Sequence, residues 1–383
     1  MLTVLFATRN RAAMLRRVLE CFTRLQSPPG GWKLVVADNG STDDTRAVLG
    51  RYALRLPMEV VDAGRPGKNA ALNAALAHLA GDLSVHTDDD VLPRADWLTA
   101  FRAAADTRPE CLLFGGTVEP EWPQEAPDWL LRSRRHHAIL YARCVQPDGP
   151  CRTTALFGPN WAVRPSVFRT GLRFDETIGP DDSKPFYAMG SETEFIGRLA
   201  EQGAQAWFVA GAVVSHIVRP DQLAERWVLD RAYRNGLGVG ITGRPRCLAG
   251  PRLGGVPWRL LARRAAYRGL AMAARPLPPT PLRLRVLFQE RWLAGLATSV
   301  RANLSTCNES RRKNLATARA FTPQVETRGP INANVPADGL FGGGPECRAR
   351  AGATNRARSH LHPAADDASD PTDPAAAAAA GRV

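Results

Sequence analysis

Three consecutive acids, Asp88-Asp89-Asp90, follow the apolar, β-prone run Leu83-Ser84-Val85-His86-Thr87. Carboxylates crowded at a strand end repel one another, and a hard divalent cation with oxygen ligands relieves that repulsion. Alternation along an extended strand would point Asp88 and Asp90 the same way. An acidic turn that caps the helix near Asp96 and Trp97 accounts for the same residues without a metal. A second polar loop, Asp38-Asn39-Gly40-Ser41-Thr42-Asp43-Asp44-Thr45, suits a base or ribose edge, and suits an Asx-turn with a helix cap equally well. Gly67-Lys68-Asn69 opens a helix and offers phosphate both the Lys68 ammonium and free backbone N–H groups. It is no Walker loop, because no Ser or Thr follows Lys68 and position 62 is Asp. Gly236-Leu237-Gly238-Val239-Gly240 follows a helical stretch instead of a first strand, which argues against a dinucleotide fingerprint.

These loops need a frame, and the first ~118 residues supply an alternation of strand and helix. Leu2 to Ala7, Lys33 to Ala37, Met58 to Val61 and Leu83 to Thr87 read as buried parallel strands. Between them, Asn10 caps a helix with Met14, Leu15, Val18, Leu19 and Phe22 on its apolar face. A polar helix runs from about Thr42 to Leu54, and a stronger one from Ala70 to Leu79. Such a series predicts a doubly wound, mostly parallel α/β sheet, with ligands beyond the carboxyl ends of its strands. The loops after Ala7, Ala37, Val61 and Thr87 then converge on one crevice. Residues from about Pro120 to Pro150 read as an irregular insertion, and Phe157 to Val163 returns to the sheet. Glu192 to Gln202 is helical and Gln205 to Val214 strand-like. The expected organisation is a catalytic domain over 1–219, a basic helical extension over 220–302 and a disordered tail over 303–383.

The 383 residues carry a net charge of +13, and between Arg231 and Asn308 the only acid is Glu290. A basic extension of this kind attracts phosphates, anionic lipid or nucleic acid without choosing among them. Trp258 to Leu296 interleaves arginines with Leu, Trp and Ala, as helices lying on anionic membranes do and as ordinary arginine-rich surface helices also do. No run approaches the ~18–20 apolar residues of a spanning helix. Arg9 and Arg11 interrupt the apolar start too soon for a secretory signal. A cytoplasmic chain is therefore expected, with peripheral contact at the inner face of the membrane. Seven scattered cysteines without a C-x-x-C pair point to reduced thiols.

Several blocks, taken in order, resemble the family 2 glycosyltransferases of the A-type fold. They are Thr8-Arg9-Asn10-Arg11, Val35 to Asp43, Gly67 to Asn73, Thr87 to Val91 with Trp97-Leu98, Gly158 to Ala162, and Ser191 to Phe195 with Arg198-Leu199. The resemblance implies that Thr8, Arg9, Asp38, Lys68, Asp88 and Asp89 meet a nucleoside diphosphate-sugar donor, with Asp38 toward the base and Asp88 toward the ribose. It implies that Asp90 holds Mn2+ or Mg2+ on the diphosphate. His216 either completes that metal shell, touches the diphosphate or is a structural histidine. Family members usually carry Glu-Asp where this chain has Ser191-Glu192. Glu192 is the expected general base toward a sugar, lipid-linked or other hydroxyl acceptor, and Glu194 is its rival. Either acid could simply favour the first turn of a helix. Transfer of one sugar with inversion is the implied reaction. Two other readings stand beside it. A sugar nucleotidyltransferase would need a glycine-rich loop where Thr8-Arg9-Asn10-Arg11 has none. A basic nucleic-acid-binding protein would leave the aspartate triplet unexplained, so no specific nucleic acid is expected.

Overall fold

A computed structural model of the chain describes residues 1–320 apart from 182, 183, 185 and 243–249, with 303–320 described by backbone alone. The chain opens as β1 (Leu2–Thr8), α1 (Ala12–Phe22), β2 (Trp32–Asp38), α2 (Thr45–Tyr52), β3 (Met58–Asp62), α3 (Lys68–Ala75) and β4 (Leu83–His86). It continues through β5 (Val91–Pro93), α4 (Trp97–Thr107), β6 (Leu113–Glu121), α5 (Asp128–Leu131), α6 (His137–Tyr141), β7 (Gly149–Cys151), β8 (Trp161–Val163) and α7 (Ser166–Arg169). After α8 (Ser191–Glu201) and β9 (Ala206–Ile217) come α9 (Glu225–Thr242), the small ribbon β10 (Arg252–Leu253) and β11 (Val256–Pro257), α10 (Trp258–Ala274) and α11 (Pro281–Ala320). The tail expected from 303 starts inside α11, and its remainder lies outside the described residues.

The main sheet runs β3-β2-β1-β4-β8-β6-β9-β5, with β7 also on β9. Pairings among β1, β2, β3 and β4 and between β6 and β9 are parallel, while the antiparallel pairings of β4–β8, β6–β8, β5–β9 and β7–β9 span three residues each. The expected mostly parallel, doubly wound sheet is present, with antiparallel insertions on one side. Alternation along β1 fills both faces. Leu2, Val4 and Phe6 pack with Leu15, Val18, Phe22, Trp97 and Phe101, whereas Leu5 packs with Ala71, Leu72 and Phe195. Helices thus cover both sides, and the carboxyl ends of β1 and β4 open together at one edge.

Two local expectations change and a third gains its physical reason. Asn10 does not cap α1: it takes a positive φ and its Oδ1 accepts from Thr42 N–H at 2.7 Å. The first turn of α1 is served by the neighbouring loop, where Thr45 Oγ1 accepts from Arg11 N–H at 2.9 Å and Asp43 Oδ2 from Ala12 N–H at 3.2 Å. The segment from 120 to 150 is more regular than its composition suggests. Its helical turns pack Trp122, Leu140 and Tyr141 against Trp227 and Phe288. The run of alternating glycines belongs to helix packing. A Cβ at Gly236 would lie 2.1 Å from Trp292 O of α11, and one at Gly238 1.7 Å from Met189 O. α9 therefore sits backbone to backbone against α11 and against the loop that leads into α8.

Candidate functional site

A cavity of about 450 Å3 opens at the carboxyl ends of β1 and β4. Ala7, Thr8, Arg9 and Arg11 follow β1, Asn39 follows β2, Gly67 and Lys68 start α3, and Asp88 to Asp90 follow β4. The opposite wall comes from Gly158, the start of α8 with Glu192, the end of β9 with His216, and α9 with Trp227, Arg231 and Arg234. The four expected loops do converge on one crevice.

Lys68 is the centre of its charge pattern. The ammonium donates to Asp88 Oδ1 at 2.6 Å and to Glu192 Oε1 at 2.7 Å, so one cation joins two carboxylates that are 20 and 124 residues away in sequence. Burial disfavours the charged form of Lys68, but the two acids outweigh it and hold the ammonium well above the usual lysine range. Burial likewise favours the neutral form of Glu192, and the Lys68 charge reverses that, leaving its carboxyl below the ordinary range. The backbone makes room for this arrangement at Gly158, where a Cβ would lie 2.9 Å from Glu192 Cδ. Lys68 N–H is not free for a ligand: it donates to Pro180 O at 2.9 Å. The anticipated phosphate contact through that amide is replaced by a tie to the loop before α8.

Asp88, Asp89 and Asp90 lie beyond the end of β4, with a turn at Asp89 and Asp90, so strand alternation does not orient them. They diverge to three separate sets of partners. Asp88 meets Lys68, and Asp89 accepts from Thr8 Oγ1 at 2.7 Å with Arg11 Nε at 3.8 Å. Asp90 faces His216 Nε2 at 3.3 Å and Arg219 at 3.4 Å. The two adjacent acids divide their protons: burial, then the Asp90 charge, pushes Asp89 up to about 7. For Asp90, burial is overcome by His216 and Arg219, which hold it far below the carboxylate range.

Asp90 and His216 bring a carboxylate oxygen and an imidazole nitrogen, both metal-ligating types, to one point. His216 Nδ1 donates to Tyr141 O at 2.8 Å, which fixes the ring and aims Nε2 at Asp90. A backbone carbonyl behind one ring nitrogen is the usual support for a metal-ligating histidine. Among the described residues no group of three His, Cys, Asp or Glu side chains forms a metal cage. The Asp90 carboxylate and His216 Nε2 together offer two donors, so a divalent ion held there would take its remaining ligands from outside these side chains.

Two sequence candidates stand outside the cavity lining. Asp38 is buried, accepting from Ser41 N–H at 3.0 Å and Arg46 Nε at 2.7 Å, and the adjacent Asn39 takes the cavity position. Glu194 pairs with Arg198 one helical turn on, at 2.7 Å. The conspicuous Asn160 is an internal strut. Its Oδ1 accepts from Trp97 Nε1, and its Nδ2 donates to Thr117 O and Ala212 O, all within 2.9 Å. Sequence reading passed over Arg11 and Arg219 as partners of the triplet and Gly158 as the neighbour of Glu192. Arg226, Arg231 and Arg234 suit phosphate contact in the sequence, and suit a solvated helix face as well. The three-residue spacing of Arg231 and Arg234 puts them on one helical face, a signal available in the sequence but indistinguishable there from a solvated stripe.

Residues 3–170 match the model of glycosyl transferase family 2. Over 61 residues the chain is 41 % identical to validoxylamine A glucosyltransferase of Streptomyces hygroscopicus subsp. limoneus, a stretch that is 16 % of this chain and 14 % of that protein. Among solved structures, the chain is similar to a mannosyltransferase of Pyrobaculum calidifontis in complex with GDP-Man and Mn2+, at 21 % identity and a TM-score of 0.45 over 83 % of this chain and 79 % of that one. It is also similar to S. aureus TarS 1-349 in complex with UDP-GlcNAc, at 12 % identity and a TM-score of 0.45 over 77 % and 90 %.

The Lys68 bridge has a consequence for stability. Lys68→Ala leaves the half-buried Asp88 and Glu192 without their shared cation, a loss of about 1.5–3 kcal/mol. Because the folded Glu192 carboxyl lies below its ordinary 4.5, the stabilisation is present above that pH and fades as pH falls below it. Urea denaturation should show the full deficit at neutral pH and a smaller one in acid. An equal deficit at both would mean that charge pairing is not what Lys68 contributes.

Proposed function

We propose that this chain, which belongs to the family-2-like glycosyltransferase superfamily and has the A-type fold, transfers one sugar from a nucleoside diphosphate-sugar donor to an acceptor hydroxyl with inversion. The observation that carries the reading is the meeting, in one cavity, of Lys68, the strand-end acids Asp88 to Asp90, His216 and Glu192. The donor lies along the β1 and β4 ends, against Thr8, Arg9, Asp88 and Asp89, with Asn39 beside it. Asp38 acts from behind by shaping the loop that presents Asn39. Asp90 and His216 hold Mn2+ or Mg2+, which when bound supplies electrostatic stabilisation of the departing diphosphate.

Glu192 is the base. Its carboxylate takes the proton of the acceptor hydroxyl as that oxygen bonds to the anomeric carbon, and the bond from that carbon to the diphosphate oxygen breaks on the opposite face. A base paired to an ammonium is a weak one, and the diphosphate resolves this by competing for Lys68. As Lys68 turns toward phosphate, Glu192 loses its strongest stabilising neighbour and its proton affinity rises. Glu194, committed to Arg198, has no comparable access to the cavity.

The surface of the carboxyl-terminal helices supports a peripheral role at an anionic membrane. Among the described residues no helix is long and apolar enough to cross one. Yet Trp258, Leu270, Met272, Leu277 and Leu282 are exposed along α10 and the turn into α11, interleaved with exposed Arg259, Arg263, Arg268, Arg275 and Arg285. Apolar side chains entering the headgroup layer beside arginines are the pattern of an interfacial helix.

Metal-dependent cleavage of a panel of nucleoside diphosphate sugars tests the enzymatic reading, with calorimetric binding of the matching nucleoside diphosphate. Asp90→Ala should weaken that binding by an order of magnitude or more (about 10-fold) in Mn2+. Undiminished affinity in the variant, or in excess chelator, would remove the metal from the mechanism. For the surface, vesicles rich in phosphatidylglycerol should sediment the protein at low salt and release it as salt rises. Equal partition to neutral vesicles would leave α10 as an ordinary surface helix.

A further inference from the structure

Two groups of cations in the cavity differ in what holds them. Lys68, Arg11 and Arg219 each face an acid of the strand ends. Arg231 and Arg234, one turn apart on α9, line the same cavity, and no carboxylate among the described residues pairs with either. They are braced by other means. The Arg231 guanidinium lies 5.3 Å from the Trp227 ring centroid and donates from Nε to Ile139 O at 2.9 Å. Trp227 in turn stacks on buried Tyr141 with ring planes 9° apart. Arg234 lies 5.0 Å from the Tyr187 centroid, and its Nε is buried without a hydrogen-bond partner. A buried N–H donor left without an acceptor is costly, and a ligand that supplies the acceptor recovers that cost.

We propose that Arg231 and Arg234 form the acceptor half of the cavity and select an acceptor bearing an anionic group, a carboxylate or a phosphate, beside its reacting hydroxyl. This deepens the transferase reading and rests on it. Arginine suits the task because its planar fork meets both groups through paired N–H donors, and a ring against its face fixes the fork before the ligand arrives. In Arg231 the Nε is already committed to Ile139, which leaves its terminal nitrogens for the ligand. Placement also separates this pair from the donor side. It stands on α9, beyond the 3–170 stretch that the family model matches, with a tie back to α6 within that stretch, whereas the donor side is built by the ends of β1 and β4 and the start of α3. Asn235 and Trp227 flank the arginines and offer an amide and an aromatic face to the uncharged part of the same molecule.

The test is calorimetric titration of the full chain with glucose, glucuronate and glucose 6-phosphate. The protein is first saturated with Mn2+ and the tightest-binding of UDP, GDP, ADP and dTDP. At least one anionic sugar should bind ~10-fold or more tightly than glucose, the scale of a charge-assisted contact. Arg231→Gln and Arg234→Gln should each abolish that preference while shifting nucleotide affinity less than about twofold. Arg234→Lys keeps a cation over Tyr187 and should retain part of the preference, so the pair stays readable if a glutamine variant folds poorly. Equal affinity for all three sugars would overturn the proposal. So would glutamine variants that lose nucleotide affinity and keep the anion preference, since the arginines would then serve the donor. If none of the four nucleotides binds, the transferase reading falls separately. The same titrations on nucleotide-free protein then decide the arginine site, with the anion preference and its loss in the variants supporting it and equal affinity overturning it.

Discussion

A lysine buried between two carboxylates constrains everything around it. Lys68 reaches Asp88 after β4 and Glu192 at the start of α8, and its charge is shared between two half-buried carboxylates. Three separate stretches of chain must therefore arrive at one point to within a hydrogen-bond length. The parallel sheet sets where α3 and the β4 loop end. The loop before α8 is fastened to α3 by Lys68 N–H on Pro180 O, and to α9 by Met189 N–H on Arg234 O at 3.1 Å. Gly238 and Gly158 leave space on either side, the first for the Met189 backbone and the second for the Glu192 carboxylate. Helix α9 and its tight packing on α11 are in this sense part of the site, although they lie far along the chain from the strands that open it.

The same charges that hold the cavity together also prime it for chemistry. In the structure each strand-end acid is satisfied by a cation, an imidazole or a hydroxyl, so the cavity is electrostatically closed on its strand side. A diphosphate and its metal would exchange partners with those groups instead of adding to them. Lys68 would move toward phosphate, Asp90 and His216 toward the metal, and Glu192 would be left as the carboxylate with an unmet need for a proton. The opposite wall differs, because its arginines are held by rings and a carbonyl, not by acids.

The sheet was legible in the sequence because buried parallel strands are short continuous apolar runs, and Leu2 to Thr8, Trp32 to Asp38 and Leu83 to His86 are of that kind. The three-residue strands β5 and β7 were not, since a run so short has no period to detect, whereas β8 falls within the Phe157 to Val163 run read as returning to the sheet. The site was legible as a set of loops, and its internal pairing was not. Which acid faces which cation depends on the turn at Asp89-Asp90 and on Arg219 and His216, more than a hundred residues away. Asn10 shows the same limit at short range: composition marks it as a helix cap, yet the neighbouring loop supplies the cap and Asn10 supports that loop. The aromatic braces of Arg231 and Arg234 join residues from α9 to the segment around 139 and to Tyr187, a relation that exists only once the chain is folded.

The central claim is that Glu192, released from Lys68 by the donor, is the proton acceptor. Comparing Glu192→Gln with Glu194→Gln in steady-state turnover and in nucleoside diphosphate binding tests it most directly. The account predicts that Glu192→Gln loses on the order of 10²–10⁴ in kcat with donor affinity nearly intact, while Glu194→Gln stays close to the unaltered enzyme. Turnover that survives in Glu192→Gln and disappears in Glu194→Gln would contradict it, and would place the reacting carboxylate two residues further along α8.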